Sequence, residues 1–408
     1  MFRDPMPNYV LTGGQVYTGR RFLPNESLGL VDGRLDFSTE EDGLSRYEGR
    51  MRVLRANEIS AEGKLIVPGY IDSHCHGGGG ADGMKGTMKA IRTMADAYAQ
   101  HGTTGLVVAT VGATDDELGE VLYAIGRVSG EKASSVLGSL VEGTYISPEM
   151  AGAQNPDFMR DCDPAHLRKL FCASDSTVRI VAVAPEREGA LDLIGYAAEK
   201  GIVAALGHTK ATYEQGLAAV ERGATRSIHT YNRQSPFAHR DVGIVGLAMR
   251  DYRLIAELIS DGIHICPEAI RTLVEMKNLH SGRYGVPNMC LITDGMPPAA
   301  FDGQVNFEIA GRPVYQVETP KGRALYMEPE GKTLAGSCLT MDRAVQHMRS
   351  IGLPLEEILP MTSEMPAWNL GIYGETGSIE PRKRADVLLL NPDTLDVEHV
   401  FVGGRMVK

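Results

Sequence analysis

Two histidines one residue apart, His74 and His76, close the apolar run LIVPGYIDSHCH. In an extended chain, residues two apart point to one face, so both imidazoles face the same way and Cys75 faces the other. Alone, the pair reads equally as a polar strand end or as one side of a metal site. Further residues of the same chemical kind also end apolar runs: Glu142 in SLVEG, His208 in AALGH, His229 in SIH, His264 in ISDGIH and Asp294 in LITDG. Taken singly, each has an ordinary role, such as an ion-pairing carboxylate for Glu142 or a helix N-cap for Asp294. Gathered at one place they do not, because burying so many ionisable groups without a cation is costly. Imidazole nitrogens and carboxylates suit a divalent ion, zinc first and ferrous iron second. An ion with one open coordination position lowers the pKa of a bound water to about 7 and polarises a carbonyl. A carboxylate beside it, Asp294, can take a proton from that water and pass it to a leaving amine. The chemistry predicted is hydrolysis of an amide or related bond.

The elements that must position these residues are legible from periodicity. Eight apolar runs recur through the middle of the chain: KLIVPGYIDSH, GTTGLVVAT, VLGSLVEGTYI, VRIVAVAPE, IVAALGH, RSIHTYN, RLIAELISDGIH and MCLITDGM. Segments of helical period such as MKAIRTMADAYAQH and TYEQGLAAVERG lie between them. Runs apolar on both faces suit a parallel sheet covered by helices. Eight strand–helix units predict an α/β fold of the TIM (β/α)8 barrel type, whose chemistry sits at the C-terminal ends of the strands. The candidate residues fall at those ends. Both chain ends have a different texture. YVLTGGQVYTG, LGLVDGRLDF and ADVLLLNPDTLDVEHVFVGGRMV alternate apolar and polar residues around turns. They predict a small β-sandwich domain built from residues 1–66 and 369–408 around a catalytic barrel of 67–368. The run Gly77–Gly80 lacks the lysine of a phosphate loop and reads as a tight passage beside the metal. Gly336-Ser337 reads as a helix start.

Composition narrows the function classes. A formal net charge of −11 over 408 residues argues against wrapping nucleic acid, which needs a basic face. Uninterrupted apolar runs of roughly 18 residues are absent, so no membrane span is expected. MFRDPMPNYV lacks the features of a signal peptide. The six cysteines are scattered and include no C-x-x-C pair, which predicts free thiols, most of them buried, and a cytoplasmic protein.

Seven stretches, taken in order, carry a resemblance: PGYIDSHCHGGGGADGM, VEGTYISPEMAGAQNP, LGHTKATYEQ, IHTYNRQSPFAHRDVG, ISDGIHICPE, LITDGM and LAGSCLTMDRA. The chain resembles the amidohydrolase superfamily and, within it, the N-acetylglucosamine-6-phosphate deacetylases, over almost its whole length. That resemblance implies a metal-dependent deacetylase of an N-acetylated amino-sugar 6-phosphate, holding one or two ions per subunit. By it, Glu142, His208 and His229 would hold the principal ion. His74 and His76 would add a second, with Glu142 bridging. Asp294 would be general base and then acid, and His264 would meet a sugar hydroxyl. Asn232 would help hold the phosphate, and Arg240 would reach the phosphate of a neighbouring subunit, which implies a homodimer.

Two positions depart from the family pattern. Gln154 stands where a histidine before Asn-Pro usually polarises the scissile carbonyl, and Arg233 stands where a small residue follows the asparagine. Arg233 either clamps an anion bidentately or fills the pocket. Two rival readings follow. One is a deacylase of another substrate, such as N-acetylgalactosamine 6-phosphate or an N-acyl amino acid. The other is a non-catalytic scaffold, which the full set of metal-ligand residues disfavours.

Overall fold

The apolar run ahead of His74 divides at Gly69, and its two halves enter different sheets. The computed structural model describes residues 7–36, 55–131, 134–279 and 288–408. Residues 1–6 and 37–54, assigned from sequence to the small β domain, lie outside the described residues. Leu65–Pro68 runs parallel to Tyr9–Tyr17 and antiparallel to Val387–Leu390. It thereby ties the two chain ends into one eight-stranded sheet. Strand alternation sorts its side chains between two cores. Ile66 and Leu389 join Leu11, Leu28 and Phe401 inside the small domain, whereas Val67 and Leu388 pack toward the barrel.

Tyr70–Cys75 is the first barrel strand. It is followed by Thr103–Ala109, Val136–Tyr145, Val178–Val183, Val203–Leu206, Ala224–Ser227, Ile255–Ile259 and Met289–Ile292, each parallel to its chain neighbour. All eight runs recognised in the sequence are therefore strands of one parallel barrel. Their two apolar faces have separate destinations. Along the fourth strand, Val181 and Val183 pack beneath the helices with Leu118 and Leu193, while Ile180 and Ala182 fill the interior with Ile71 and Leu140. Helices between the strands begin where the sequence supplies caps. Thr114 and Glu117 form a reciprocal capping box before Asp115–Ser129, and Thr212 and Gln215 form another before Tyr213–Arg222.

Polar main-chain bonds close the barrel. Asp294 N–H donates to His74 O at 2.9 Å, and His76 N–H donates to Gly295 O at 2.8 Å. Below them the buried Asp72 carboxylate accepts from the Thr293 hydroxyl at 2.5 Å and its N–H at 3.2 Å. Closure thus sets the end of the eighth strand directly beside the His-x-His segment. The expected helix start at Gly336-Ser337 is corrected. These residues end the strand Leu334–Ser337, whose Ser337 N–H donates to Asp294 O, and the next helix begins at Met341. Residue type misled there, because a neighbouring strand end was available as a hydrogen-bond partner.

One half-buried acid lies where the barrel meets the small domain. Glu364 opens the helix Glu364–Asn369, and its Oε1 is buried without a hydrogen-bond partner among the described residues. Burial raises its pKa to about 7, against the weaker pull of Lys383. Between about 4.5 and 7 the unfolded chain loses this proton while the folded one keeps it, so stability falls as pH rises through that window. Glu364→Gln is expected to flatten the slope and to stabilise the protein at pH 8, by up to roughly 3 kcal/mol. Urea unfolding of both proteins at pH 5 and pH 8 checks it; parallel losses would reject the assignment.

Candidate metal centre and its cavity

Six side chains from five barrel strands meet at the C-terminal mouth. His74 and His76 come from the first strand's end, Glu142 from the third, His208 from the fifth, His229 from the sixth and Asp294 from the eighth. Local backbone strain aims three of them. His208, His229 and Asp294 have φ of 47°, 26° and 49°, a left-handed region unfavourable for residues with a Cβ. Just past each strand, that turn directs the side chain across the mouth instead of outward. Gly143, at φ 85°, serves Glu142 differently: a Cβ there would lie 2.2 Å from Gly112 N, so only glycine allows this approach.

The donors form two groups that share one carboxylate. Glu142 Oε1 lies 3.2 Å from His208 Nε2 and 3.3 Å from His229 Nε2. Its Oε2 lies 3.1 Å from His76 Nε2 and 3.6 Å from His74 Nε2. Asp294 Oδ1 completes the second group, 3.3 Å from His76 Nε2 and 3.5 Å from His74 Nε2. Histidine nitrogens also face one another, His208 to His229 at 3.1 Å and His74 to His76 at 3.4 Å. Ligands about 2.0–2.1 Å from a tetrahedral ion stand roughly 3.3 Å apart. The spacing and the donor chemistry therefore fit a divalent metal in each group. Both Glu142–His208–His229 and His74–His76–Asp294 bring their ligand atoms within 4.8 Å of one another.

Ring orientation supports the same direction. His208 Nδ1 faces Met150 O at 2.9 Å and His229 Nδ1 faces Asn232 O at 3.1 Å, so both rings donate there and present bare Nε2 to the centre. His74 Nδ1 instead faces the Glu257 carboxylate at 3.0 Å. The electrostatics favour positive charge strongly. Burial alone would keep His76 neutral, but hydrogen bonds to Asp294 and Glu142 raise it to about 9. Burial likewise opposes ionisation of Asp294, yet His76, His74 and His229 bring its carboxyl down to about 2. Glu142 lies well below its ordinary range for the same reason.

A cavity of about 220 Å³ opens above this cluster. Its wall includes Gln154, Asn232, Arg233 and His264, so the structure brings these predicted residues to the metal cluster. Gln154 is held at both ends: Gly112 N–H donates to its Oε1 at 2.9 Å, and its Nε2 donates to Glu142 Oε2 at 3.3 Å. His264 is steered by Asp261, whose Oδ2 lies 2.6 Å from Nδ1. Arg233 lies over Gly152 and is exposed. Arg240 does not line this cavity; it is exposed on the stretch 236–242. The glycine run after His76 packs closely, though against neighbouring residues: a Cβ at Gly77 would meet Pro297 and one at Gly78 the Tyr98 ring.

Sequence reasoning missed three residues. Lys332, from the turn before Leu334–Ser337, adds a second cation to the cavity wall. Arg226 and Glu257 pair at 3.0 Å beneath the cluster, both fully buried. A charge placed inside an apolar strand, as in ATRS and IAELI, was the available signal.

Comparisons with known proteins agree with this geometry. Residues 65–407 match the model of the amidohydrolase family. The chain is 34% identical to the N-acetylgalactosamine-6-phosphate deacetylase of Escherichia coli O157:H7, over 90% of this chain and 96% of that protein. It is 35% identical to the N-acetylglucosamine-6-phosphate deacetylase of Vibrio furnissii, over 89% and 87%. The crystal structure of the N-acetyl-D-glucosamine-6-phosphate deacetylase of Mycobacterium smegmatis superposes with a TM-score of 0.85 at 28% identity, covering 98% of this chain and all of that one. With the barrel, the shared carboxylate and the histidine set in place, this chain belongs to the amidohydrolase family and, within it, to the N-acetylglucosamine-6-phosphate deacetylases.

Proposed function

We propose that this enzyme, a metal-dependent hydrolase of carbon–nitrogen bonds, removes the acetyl group of N-acetylglucosamine 6-phosphate and releases the amino-sugar phosphate and acetate. The observation that carries the reading is the pair of three-donor groups, Glu142–His208–His229 and His74–His76–Asp294, joined by the Glu142 carboxylate, whose Oε2 lies 3.1 Å from His76 Nε2, with Asp294 lining the cavity. Glu142, His208 and His229 are assigned to the principal ion, and His74, His76 and Asp294 to a second. Zinc is the proposed ion, with ferrous iron the rival that the same donors accept. When bound, the ion polarises the acetyl carbonyl and makes a water more acidic. The chain's own residues do the rest. Asp294, ionised and facing the cavity, accepts the proton of the attacking water and then returns it to the leaving amine. His264, held by Asp261, offers Nε2 to a sugar hydroxyl. Gln154 turns its amide N–H groups toward the centre because Gly112 occupies its oxygen; it orients Glu142 and donates to the acetyl oxygen without carrying charge. Asn232, Arg233 and Lys332 form the anion end.

A complex of a mutant of the Mycobacterium smegmatis enzyme with N-acetyl-D-glucosamine-6-phosphate supports a phosphorylated sugar as substrate class. Identity does not separate the two epimers, since the galactosamine and glucosamine enzymes stand at 34% and 35%. Acetate release from both 6-phosphates and from unphosphorylated N-acetylglucosamine, by zinc-loaded protein of measured metal content, decides among them. A metal-loaded protein inactive on all three would reject the reading and favour another N-acylated anion.

Three broader assignments belong to the same proposal. The homodimer rests on Arg240, which lies outside its own cavity and is free to reach another. The cytoplasm is supported by six free cysteines, although fewer are buried than expected: Cys75, Cys162 and Cys290 are, whereas Cys172 and Cys266 are exposed. Among the described residues no helix is long and apolar enough to cross a membrane. The division into 1–66 with 369–408 and 67–368 is supported by Leu65–Pro68, which pairs with strands from both ends, although this strand runs two residues past 66 before the chain enters the barrel at Tyr70. Arg233→Ala and Arg240→Ala are each expected to raise KM for the phosphorylated sugar roughly 10- to 100-fold, the worth of a charged hydrogen bond. KM for the unphosphorylated sugar should barely change. Equal effects on both would refute the phosphate role.

A further inference from the structure

The imidazoles of the two ion-binding groups are not equally supported. In the group of Glu142, His208 and His229, each ring is held at Nδ1 by a main-chain carbonyl. In the other group, His76 Nδ1 is buried with no hydrogen-bond partner among the described residues. Among the described residues, His74 is thus the one imidazole of that group held at Nδ1, by Glu257 Oε2 at 3.0 Å.

Glu257 is in turn fully constrained. Its Oε1 accepts from Arg226 Nη1 at 3.0 Å, and its Oε2 accepts from both His74 Nδ1 and His229 N–H, each at 3.0 Å. Arg226 is anchored as well, by Ser73 Oγ at 2.8 Å and Asn369 Oδ1 at 2.6 Å. Every group that faces this carboxylate is a donor, so only an acceptor on both oxygens satisfies the site. A carboxylate behind an imidazole fixes the tautomer and makes the ring a stronger ligand than a neutral carbonyl does.

From this arrangement we infer that Glu257, held in place by Arg226, is a positioning residue that sets occupancy of the ion site formed by His74, His76 and Asp294. It does so by locking His74 as the Nδ1–H tautomer with Nε2 bare. The Glu142–His208–His229 site does not depend on it in the same way, because His229 offers Glu257 only its main-chain N–H while Asn232 holds the ring. The inference rests on the metal-centre assignment of the preceding section and deepens it: the two sites are unequal, and a buried ion pair below the mouth controls the weaker one.

The test uses full-length protein stripped with chelator and equilibrated against buffered zinc, with ions per chain counted by plasma mass spectrometry. Glu257→Asp retains the charge opposite Arg226 but withdraws the carboxylate by one methylene, about 1.5 Å. Wild type is expected to bind two ions. Glu257→Asp is expected to keep the tight one and to bind the other 10- to 100-fold more weakly. Glu257→Gln, whose amide offers a single acceptor oxygen to three donors, should change the count in the same direction. Circular dichroism verifies that the variants are folded.

A second measurement needs no variant at Glu257. In zinc-loaded wild type, the ¹⁵N shifts of the His74 ring, assigned by comparison with His74→Ala, must place its proton on Nδ1. A proton on Nε2 overturns the inference. So does a folded Glu257→Asp that binds both ions as wild type does, or one that loses both equally. A wild type with one ion overturns it too, whereas a wild type binding none overturns the metal-centre assignment itself.

Discussion

Asp294→Asn is expected to lower kcat by about 10³- to 10⁴-fold, toward the upper end of what a positioned acid–base group supplies. The principal ion should stay bound. Asparagine is nearly isosteric and retains an oxygen where Asp294 Oδ1 now faces His76 at 3.3 Å and His74 at 3.5 Å. It keeps no basic site, so it cannot accept a proton from water and return it to an amine. Glu142, His208 and His229 are untouched by the change. Acetate release and zinc content measured on one sample separate loss of chemistry from loss of metal. Activity within ten-fold of wild type would remove Asp294 as the base, and a metal-free variant would show a structural role instead.

A second large effect is expected on folding. Arg226 and Glu257 are both fully buried in the barrel interior, where charge is tolerated only because each satisfies the other. Arg226→Met should destabilise the protein by about 3–5 kcal/mol, since it leaves the Glu257 carboxylate buried without its cation. Ser73 and Asn369 would lose their shared partner as well. The double change Arg226→Met with Glu257→Leu should recover much of that loss, because it removes both charges. Urea midpoints of the four proteins give the coupling directly. Additive losses would mean that the pair contributes nothing beyond its separate residues. The double variant should still bind fewer ions than wild type, which divides the structural contribution of the pair from its effect on His74.

Residue type and local period were enough to locate much of this enzyme. Parallel strands buried on both faces must read as compact apolar runs, and all eight did. Imidazoles and carboxylates are common metal-binding groups, and barrel chemistry sits at strand ends. The residues that the fold brings together, His74, His76, Glu142, His208, His229 and Asp294, could therefore be picked out as candidates before any fold was known. Those are local properties of the chain. Partner choice is not local. His74 and Glu257 are 183 residues apart, and Arg226 and Ser73 are 153 apart; only barrel closure brings them within bonding distance. The same holds for Gln154, whose amide direction is decided by Gly112, and for Lys332, which reaches the cavity from a turn after the eighth strand. Ser337 pairs with the Asp294 main chain instead of starting a helix for the same reason. Strain followed this pattern as well. His and Asp enter the left-handed region more often than most residues, but residue type does not say which of them will, and His208, His229 and Asp294 all do. Sequence determined which groups this protein has available for catalysis. Tertiary structure decided which nitrogen of each ring faces the metal centre, because that is set by distances across the barrel and by which acceptor stands behind each histidine.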